Sequence, residues 1–473
     1  MNLPQIFLAD LPPEAVLTPA LVRDACIAVK RNRAQWLAQR KTQELVELVA
    51  YAAERWQQPD NGFRRLALQL GPAETGFGPA TLARGLDSLF RLLTVDQLHA
   101  LLNQDLGDVR RLDEFSAPAG ELRHGRLALA RGHELLVHLA AGNLPNSALL
   151  SLVLGLLTKS AQFMKLSRGG ALLPRLFAHS LAELEPKLGG CLELAVWPGG
   201  AADLEAALFG ETTCVTVQGS DETVADLRGR LPASVRLVAH GHRLSFGFIS
   251  GDLMSSYSAR KVAEKAAADL SAWNQLGCLS PHVFYIEDRG AVSAEAFAEL
   301  LAAALAEREA AEPRGELPVA EAAQINDRRY LHELRAARHL VQRGEAVTVP
   351  RGAFFEPASA GTRLWTSEGS TAWTVVYEED ARFHASCLNR FAYVKPVRDL
   401  AEALRLADPV RGQVSTVGLA ALESRMPELA LELSAWGVTR VCPLGRMQEP
   451  PVTWRHDGRQ ALGELVTWTD LEL

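Results

Sequence analysis

Between residues 139 and 238 the chain switches repeatedly between short apolar runs and amphipathic stretches of helical period. The spacing predicts a helix over 147–158, a strand over 161–166, a helix over 172–184 and a strand over 192–196. A helix over 203–208, a strand over 214–217 and a helix from Asp221 complete the series. Strands separated by helices of this length return in the same direction, which predicts a parallel, doubly wound sheet and an α/β fold class. A second α/β region opens with a strand over 244–249 and continues with runs at 283–286, 373–377 and 392–396.

The flanks read differently. Residues 1–115 alternate helical stripes, such as Val22, Cys26, Val29 and Leu45, Val46, Val49, Ala53, with Pro-rich breaks. Strand-like runs at 126–130 and 134–139 follow, and the region 121–139 is expected to contribute to an oligomerisation arm. Residues 307–314 are charged and Ala-rich, which reads as a solvated helix face or linker. The closing stretch 462–471 is partly apolar and of the kind that pairs with another subunit.

At 473 residues the chain exceeds one ordinary core, so about two or three domains are expected. A net charge of -7 argues against nucleic acid or an anionic membrane surface as partner. The longest apolar run, 148–157, is far shorter than the roughly 20 residues of a spanning helix. The start has no basic region followed by an apolar core, so no signal peptide is predicted. The six cysteines show neither metal-ligand pairing nor disulfide-like clustering, which fits a reducing, cytoplasmic setting and predicts no metal.

Among those cysteines Cys278 stands apart. A helical stripe of Ala263, Ala266, Ala267, Leu270 and Trp273 carries the chain to Asn274, Gly277 allows a sharp turn, and Pro281 opens an apolar strand. A thiol on such a turn can face solvent beside backbone N–H groups, as a nucleophile requires.

The segment Asn274-Gln275-Leu276-Gly277-Cys278 resembles the nucleophile segment of the aldehyde dehydrogenase superfamily. From about residue 139 onward the chain looks more specifically like the acyl-CoA reductase family of the LuxC type, typified by the fatty-acid reductase of bacterial bioluminescence. Three further segments carry the resemblance in chain order. Residues 141–146 are similar to the superfamily's Asn-aromatic-Pro segment, which implies an oxyanion-holding role for Asn143 together with the Cys278 N–H. Residues 163–168 match the strand whose terminal lysine, here Lys165, reaches the adenosine ribose. Many NAD-using relatives carry Glu two residues on; Ser167 followed by Arg168 can accept a 2′-phosphate, which favours NADPH with NADH as the alternative. Residues 215–223 resemble the strand-Gly-Ser-helix step over the coenzyme, where Gly219 allows close approach and Ser220 caps the helix.

One departure is informative. Hydrolytic relatives carry Glu-Leu-Gly-Gly between these motifs, the glutamate activating the deacylating water. Here the stretch reads Val238-Ala239-His240-Gly241-His242-Arg243, without a carboxylate. That disfavours release of a free acid and favours thioester chemistry, with His240 or His242 able to supply a proton to a leaving thiolate. The segment from Cys442 to Met447 and on through Trp454 to Arg459 also resembles the family, as a Gly-rich loop with Arg and His that can close over a substrate channel.

The resemblance therefore implies an aldehyde dehydrogenase-like fold. The expected parts are a helical lead-in and coenzyme domain (1–243), a catalytic domain (244–446) and a returning C-terminal segment (447–473). It implies NADPH-dependent reduction of an acyl-CoA or other acyl thioester to the aldehyde through acyl-Cys278. A homodimer or homotetramer and an acyl-protein synthetase partner follow from the same resemblance. An NAD(P)-dependent aldehyde dehydrogenase forming free acid, and a coenzyme-independent acyltransferase or scaffold, remain the alternatives.

Overall fold

The computed structural model describes residues 3–12, 14–342 and 361–473, except the side chains of 338–342; the first two residues of the start read above lie outside it. It divides into two units: residues 1–75, 82–242 and 451–473 form one, and residues 76–81 with 243–450 form the other. The expected boundaries were 243/244 and 446/447.

Strand β1 (Arg126–Gly132) is followed by β2 (Leu135–Leu139), β3 (Ala161–Leu166), β4 (Leu192–Val196), β5 (Cys214–Gln218) and β6 (Arg236–His240). Strands β2 to β6 form an all-parallel sheet in the order β4-β3-β2-β5-β6. The chain starts in the middle, builds outward to one edge, then crosses back to build the other. The reversal falls between β2 and β5, and ligands of such sheets bind beyond the strands' carboxyl ends at that point.

Burial explains the apolar strands. Helix Pro19–Trp36, capped by Thr18 accepting from the Leu21 N–H at 3.2 Å, buries Val22, Cys26 and Val29 against Val137, Phe163 and Val215. The buried His138 ties the centre of this sheet: Nδ1 meets Thr216 Oγ1 at 2.7 Å and Nε2 meets Gln162 Oε1 at 3.0 Å. Burial holds its pKa down at about 4, so the ring is neutral and bridges three adjacent strands.

In the second unit β7 (Leu244–Ile249), β8 (Pro281–Glu287), β9 (Thr362–Thr366), β10 (Thr374–Glu378), β11 (Phe391–Val397), β12 (Val414–Ala420) and β13 (Arg440–Pro443) form one sheet. Its order is β13-β12-β7-β8-β11-β10-β9, parallel throughout except for β9. Helices Ser258–Ser271 and Ala294–Ala311 share one apolar cluster with Phe284, Ile286, Val375 and Val394.

The last strand, β14 (Val466–Glu472), belongs to the first unit and pairs antiparallel with β1 as a two-stranded ribbon. The stretch 121–139, read as one arm, therefore divides. Arg126–Gly132 joins the ribbon, whereas Leu135–Leu139 is the central strand of the parallel sheet. The difference is one of burial: Leu135, Leu136 and Val137 are enclosed on both faces, while β14 is exposed along nearly its whole length. Among the described residues no helix is long and apolar enough to cross a membrane.

Candidate active site

The turn carrying Cys278 is built differently from its sequence reading. The helix ends at Ser271, and Trp273, Asn274 and Gln275 all lie in the left-handed region with φ of 51°, 51° and 65°. The reversal was expected at Gly277; instead three side-chain-bearing residues make it, a conformation that costs on the order of 1–3 kcal/mol each. Their side chains hold it in place. Asn274 Nδ2 donates to the Arg314 carbonyl at 2.8 Å, and Arg390 Nη2 donates to Asn274 Oδ1 at 3.0 Å. Gln275 Nε2 donates to the Phe391 carbonyl at 2.8 Å, and Oε1 accepts the Phe391 N–H at 2.8 Å. On the facing side Leu388, Asn389 and Arg390 are left-handed as well.

Residues 307–314, read as a solvated face or linker, turn out to brace this turn. The fully buried Arg390 guanidinium pairs with Glu309 at 2.6 Å and donates to the Glu312 carbonyl at 3.1 Å. Arg314 supplies the carbonyl that Asn274 uses. An Ala- and Glu-rich pattern shows helix, but not which Glu faces a buried cation.

Beyond the turn, Ser245 Oγ on β7 donates to the Cys278 carbonyl at 2.7 Å, and Gln448 Nε2 donates to Ser280 Oγ at 3.0 Å. The loop bearing Gln448 is itself held. The buried Asp269 carboxylate accepts the N–H groups of Gly445 at 2.5 Å and Met447 at 2.9 Å, while Arg440 donates to the carbonyls of Met447 and Arg446. Burial pushes the Asp269 pKa up to about 7. Burial lowers the Arg440 pKa, and the charges of Cys442, Asp269 and Cys278 act on it in the opposite direction.

Cys278 is part-exposed on this turn. Cys26, Cys191 and Cys214 are buried, with burial pushing each thiol up to about 12; Cys442 and Cys387 are pushed up to about 11 for the same reason. Those five are poor sources of thiolate near neutral pH.

In the first unit, Lys165, singled out for coenzyme, lies near the carboxyl end of its strand, and Ser167, Arg168, Gly219 and Ser220, like the oxyanion candidate Asn143, follow strand ends. Asn143 is exposed between β2 and helix Pro145–Leu157. Lys165 is on β3, half-buried, its pKa lowered by burial against an opposing pull from Glu205. Ser167 and the exposed Arg168 follow. Gly142 and Gly170 pack on this step: a Cβ at Gly142 would meet Ser167 Oγ at 2.3 Å, and one at Gly170 would meet the Gly142 Cα at 3.1 Å. Gly219 donates its N–H to the His240 carbonyl at 3.1 Å, and Ser220 Oγ caps helix Asp221–Arg230 by accepting from Thr223 N. A further pair at this edge was not singled out: Gly199 and Gly200, after β4, have no described atom within 4 Å of a Cβ position. A Gly-Gly pair closing a strand at the same edge is the signal that marks it.

The two histidines at the end of β6 and just after it part company. His242 is exposed and donates its N–H to Asp221 Oδ1 at 2.9 Å. His240 is part-buried, with Nδ1 at 3.0 Å from Asp457 Oδ2 and its ring stacked on His456 at 4.0 Å. Asp457 belongs to the C-terminal segment whose residues carried no individual role in the sequence.

A comparison with known families places residues 37–468 in the acyl-CoA reductase (LuxC) family. Among curated proteins the chain is similar to long-chain acyl-protein thioester reductase 2 of Photobacterium leiognathi, 23% identical over 388 residues, covering 80% of this chain and 72% of that one. It also resembles the long-chain acyl-protein thioester reductase of Aliivibrio fischeri, 23% identical over 250 residues, covering 52% of this chain and 50% of that one. Solved structures of similar fold include aldehyde dehydrogenase 21 of Physcomitrella patens (TM-score 0.68, 13% identity, 97% of this chain and 91% of that one). Bifunctional proline utilization A matches with TM-score 0.70 at 15% identity over 97% of this chain but 45% of its own length, so the chain spans less than half of that protein. The fold is thus that of the aldehyde dehydrogenases, and the chain belongs to the acyl-CoA reductase (LuxC) family.

Proposed function

We propose that this chain reduces a fatty acyl thioester, carried on CoA or on a protein, to the aldehyde with NADPH, through an acyl-cysteine on Cys278. The observation that carries this reading is the Cys278 turn: Cys278 is part-exposed, follows three left-handed residues and has its carbonyl held by Ser245, whereas the thiol of Cys387, also part-exposed, is pushed up to about 11. The names of the relatives support thioester reduction.

Cys278 attacks the acyl carbon as thiolate, and the carrier thiol leaves. Asn143 and the Cys278 N–H are the donors we assign to the developing oxyanion; one such donor is worth roughly 3–4 kcal/mol. The donors at and beyond the strand ends fit a dinucleotide. Lys165 would reach the ribose, Ser167 and Arg168 a 2′-phosphate, and the Gly219-Ser220 step a phosphate at a helix start. The nicotinamide coenzyme, when bound, supplies the hydride for the acyl carbon. Collapse of the thiohemiacetal on Cys278 then releases aldehyde and restores the thiolate. Val238 to Arg243 hold no carboxylate to activate water, which supports thioester exchange over hydrolysis.

The exposed ribbon residues Trp468 and Leu471 support a homodimer or homotetramer joined through β14, and an acyl-protein synthetase is the class of partner that would supply the acyl group.

Intact-protein mass after mixing with acyl-CoAs, without coenzyme, tests the reading. One acyl addition that disappears in Cys278→Ala is expected. Free acid formed from aldehyde without CoA would point to an ordinary aldehyde dehydrogenase, and thioester turnover without NADPH binding to an acyltransferase.

A further inference from the structure

Four neighbouring strands of the second unit share one register at their amino ends. Arg440 on β13 faces Thr416 on β12, Thr416 faces Ser245 on β7, and Ser245 faces Pro281 on β8. That row sets a buried arginine along the same sheet edge as the turn carrying Cys278, which leads into Pro281. Two chains of hydrogen bonds run from the row to Cys278 and to Ser280, two residues on. Along the sheet, Ser245 Oγ accepts the Thr416 N–H at 3.2 Å and donates to the Cys278 carbonyl at 2.7 Å. Over the turn, Arg440 donates to the carbonyls of Met447 at 2.7 Å and Arg446 at 2.9 Å. The next residue, Gln448, donates to Ser280 Oγ at 3.0 Å.

A guanidinium stays protonated throughout the pH range in which a thiol ionises. Burial lowers the Arg440 pKa, and the charges of Cys442, Asp269 and Cys278 oppose that lowering. Coulomb attraction is mutual, so a thiolate that favours the charged guanidinium is favoured by it in turn. Pinned on two carbonyls, the arginine cannot swing out to solvent, where salt would screen it.

Resting on the thioester reading above, we propose that Arg440 is a positioning residue for the nucleophile: its guanidinium, held on the Arg446 and Met447 carbonyls, favours the ionised form of Cys278. The other charged and titratable groups around this site leave that role to it. Cys442, also on β13, is buried, and burial pushes its thiol up to about 11, so it contributes little thiolate near neutral pH. Asp269, on helix Ser258–Ser271, is pushed by burial up to about 7, so below that pH it is mostly neutral and offsets little. Arg446 and Glu449 pair with each other at 3.2 Å, and Lys265 packs on Gly445. On β8, His282 Nδ1 accepts the Ser386 N–H at 3.1 Å.

The test uses the full chain with iodoacetamide as probe, without coenzyme or acyl donor. Alkylation of Cys278, read by peptide mass, is followed against pH for the wild type, Arg440→Gln and Arg440→Lys, with unfolding midpoint as the check on folding. The wild-type alkylation midpoint is expected below about 8.5, the ordinary thiol value. Arg440→Gln is expected to raise it by about 1 to 2 pH units. Arg440→Lys keeps the charge but not the planar fork, and is expected to recover most of that difference. An arginine that only braces the loop would lower the unfolding midpoint of both variants and move the alkylation midpoint of neither, which would overturn the inference. A wild-type midpoint at or above about 8.5, a result that needs no variant to fold, would overturn it as well. Intact mass after mixing with acyl-CoAs separates the two readings. Acyl addition beside an unshifted midpoint overturns the inference alone, whereas no addition to the wild type overturns both.

Discussion

The carboxamide of Gln275 pairs with the backbone of Phe391 in both directions, donating to its carbonyl and accepting its N–H, each at 2.8 Å. A side-chain amide here takes the place of a peptide group and holds the turn before Cys278 to the start of β11. The same Nε2 also reaches the Pro281 carbonyl at 2.9 Å, so one side chain joins the turn to two neighbouring strands. Because the turn has three consecutive left-handed residues, this pairing is what keeps it from relaxing toward the helix before it.

Gln275→Ala should therefore do more than remove one bond. It leaves the buried N–H and carbonyl of Phe391 without that partner, at roughly 1–3 kcal/mol for each group. We expect a fall of several degrees in the unfolding midpoint together with slower acylation of Cys278. A midpoint and acylation rate equal to the wild type would show that the bridge is dispensable.

Cys278→Ala should lower acyl transfer and NADPH oxidation by at least about a thousandfold, since no other group replaces the nucleophile. Cys442→Ala, a few residues from the loop that carries Gln448, should keep acylation, because its thiol is buried and pushed up to about 11. Persistent acyl addition to the Cys278→Ala protein, read by intact mass, would move the nucleophile elsewhere.

Arg168 is the exposed cation next to Ser167 at the end of β3. Arg168→Glu should weaken NADPH binding roughly 10- to 100-fold while leaving NADH binding within a few-fold, because only the first coenzyme brings a 2′-phosphate to a carboxylate. Fluorescence titration with both coenzymes is the measurement. Equal losses for the two would remove Arg168 from coenzyme choice.

Asp269 offers a pH signature. Its folded pKa, raised by burial to about 7, lies above the unfolded value of about 3.8, so the folded state holds a proton that the unfolded state has lost. Stability from this group is thus full below about pH 4 and declines as pH rises to about 7, by about 4 kcal/mol in all. The unfolding midpoint of Asp269→Asn, which cannot ionise, should fall less than the wild type's over that window. Parallel curves for the two proteins would assign the titration to another group.

The α/β class and the doubly wound sheet were legible because period and length are local properties. The strand at Ala161–Leu166 and the helix at Leu172–Leu184 fall where the pattern placed them. Each is bounded by turn residues and buried on its apolar face, so neighbours in sequence already specify it. The Ser220 cap is equally local, since the side chain bonds an N–H three residues on. The β1 and β2 stretches were not separable in this way. Both are short apolar runs, and only their partners, β14 for one and β3 with β5 for the other, assign them to different sheets.

What the sequence determined by itself is the order of the elements and the residue types from which the proposed site is drawn, Cys278 among them. Residue type and local period carry that information. Only the tertiary structure decided how those groups are held: Gln275 against Phe391, Arg390 against Glu309, Asp269 under the Gly445 loop, and Asp457 against His240. The physical reason is the range of the interactions. A hydrogen bond or ion pair acts over about 3 Å in space, yet the one between His240 and Asp457 joins residues 217 apart in the chain, and no local pattern records which distant partner the fold will bring.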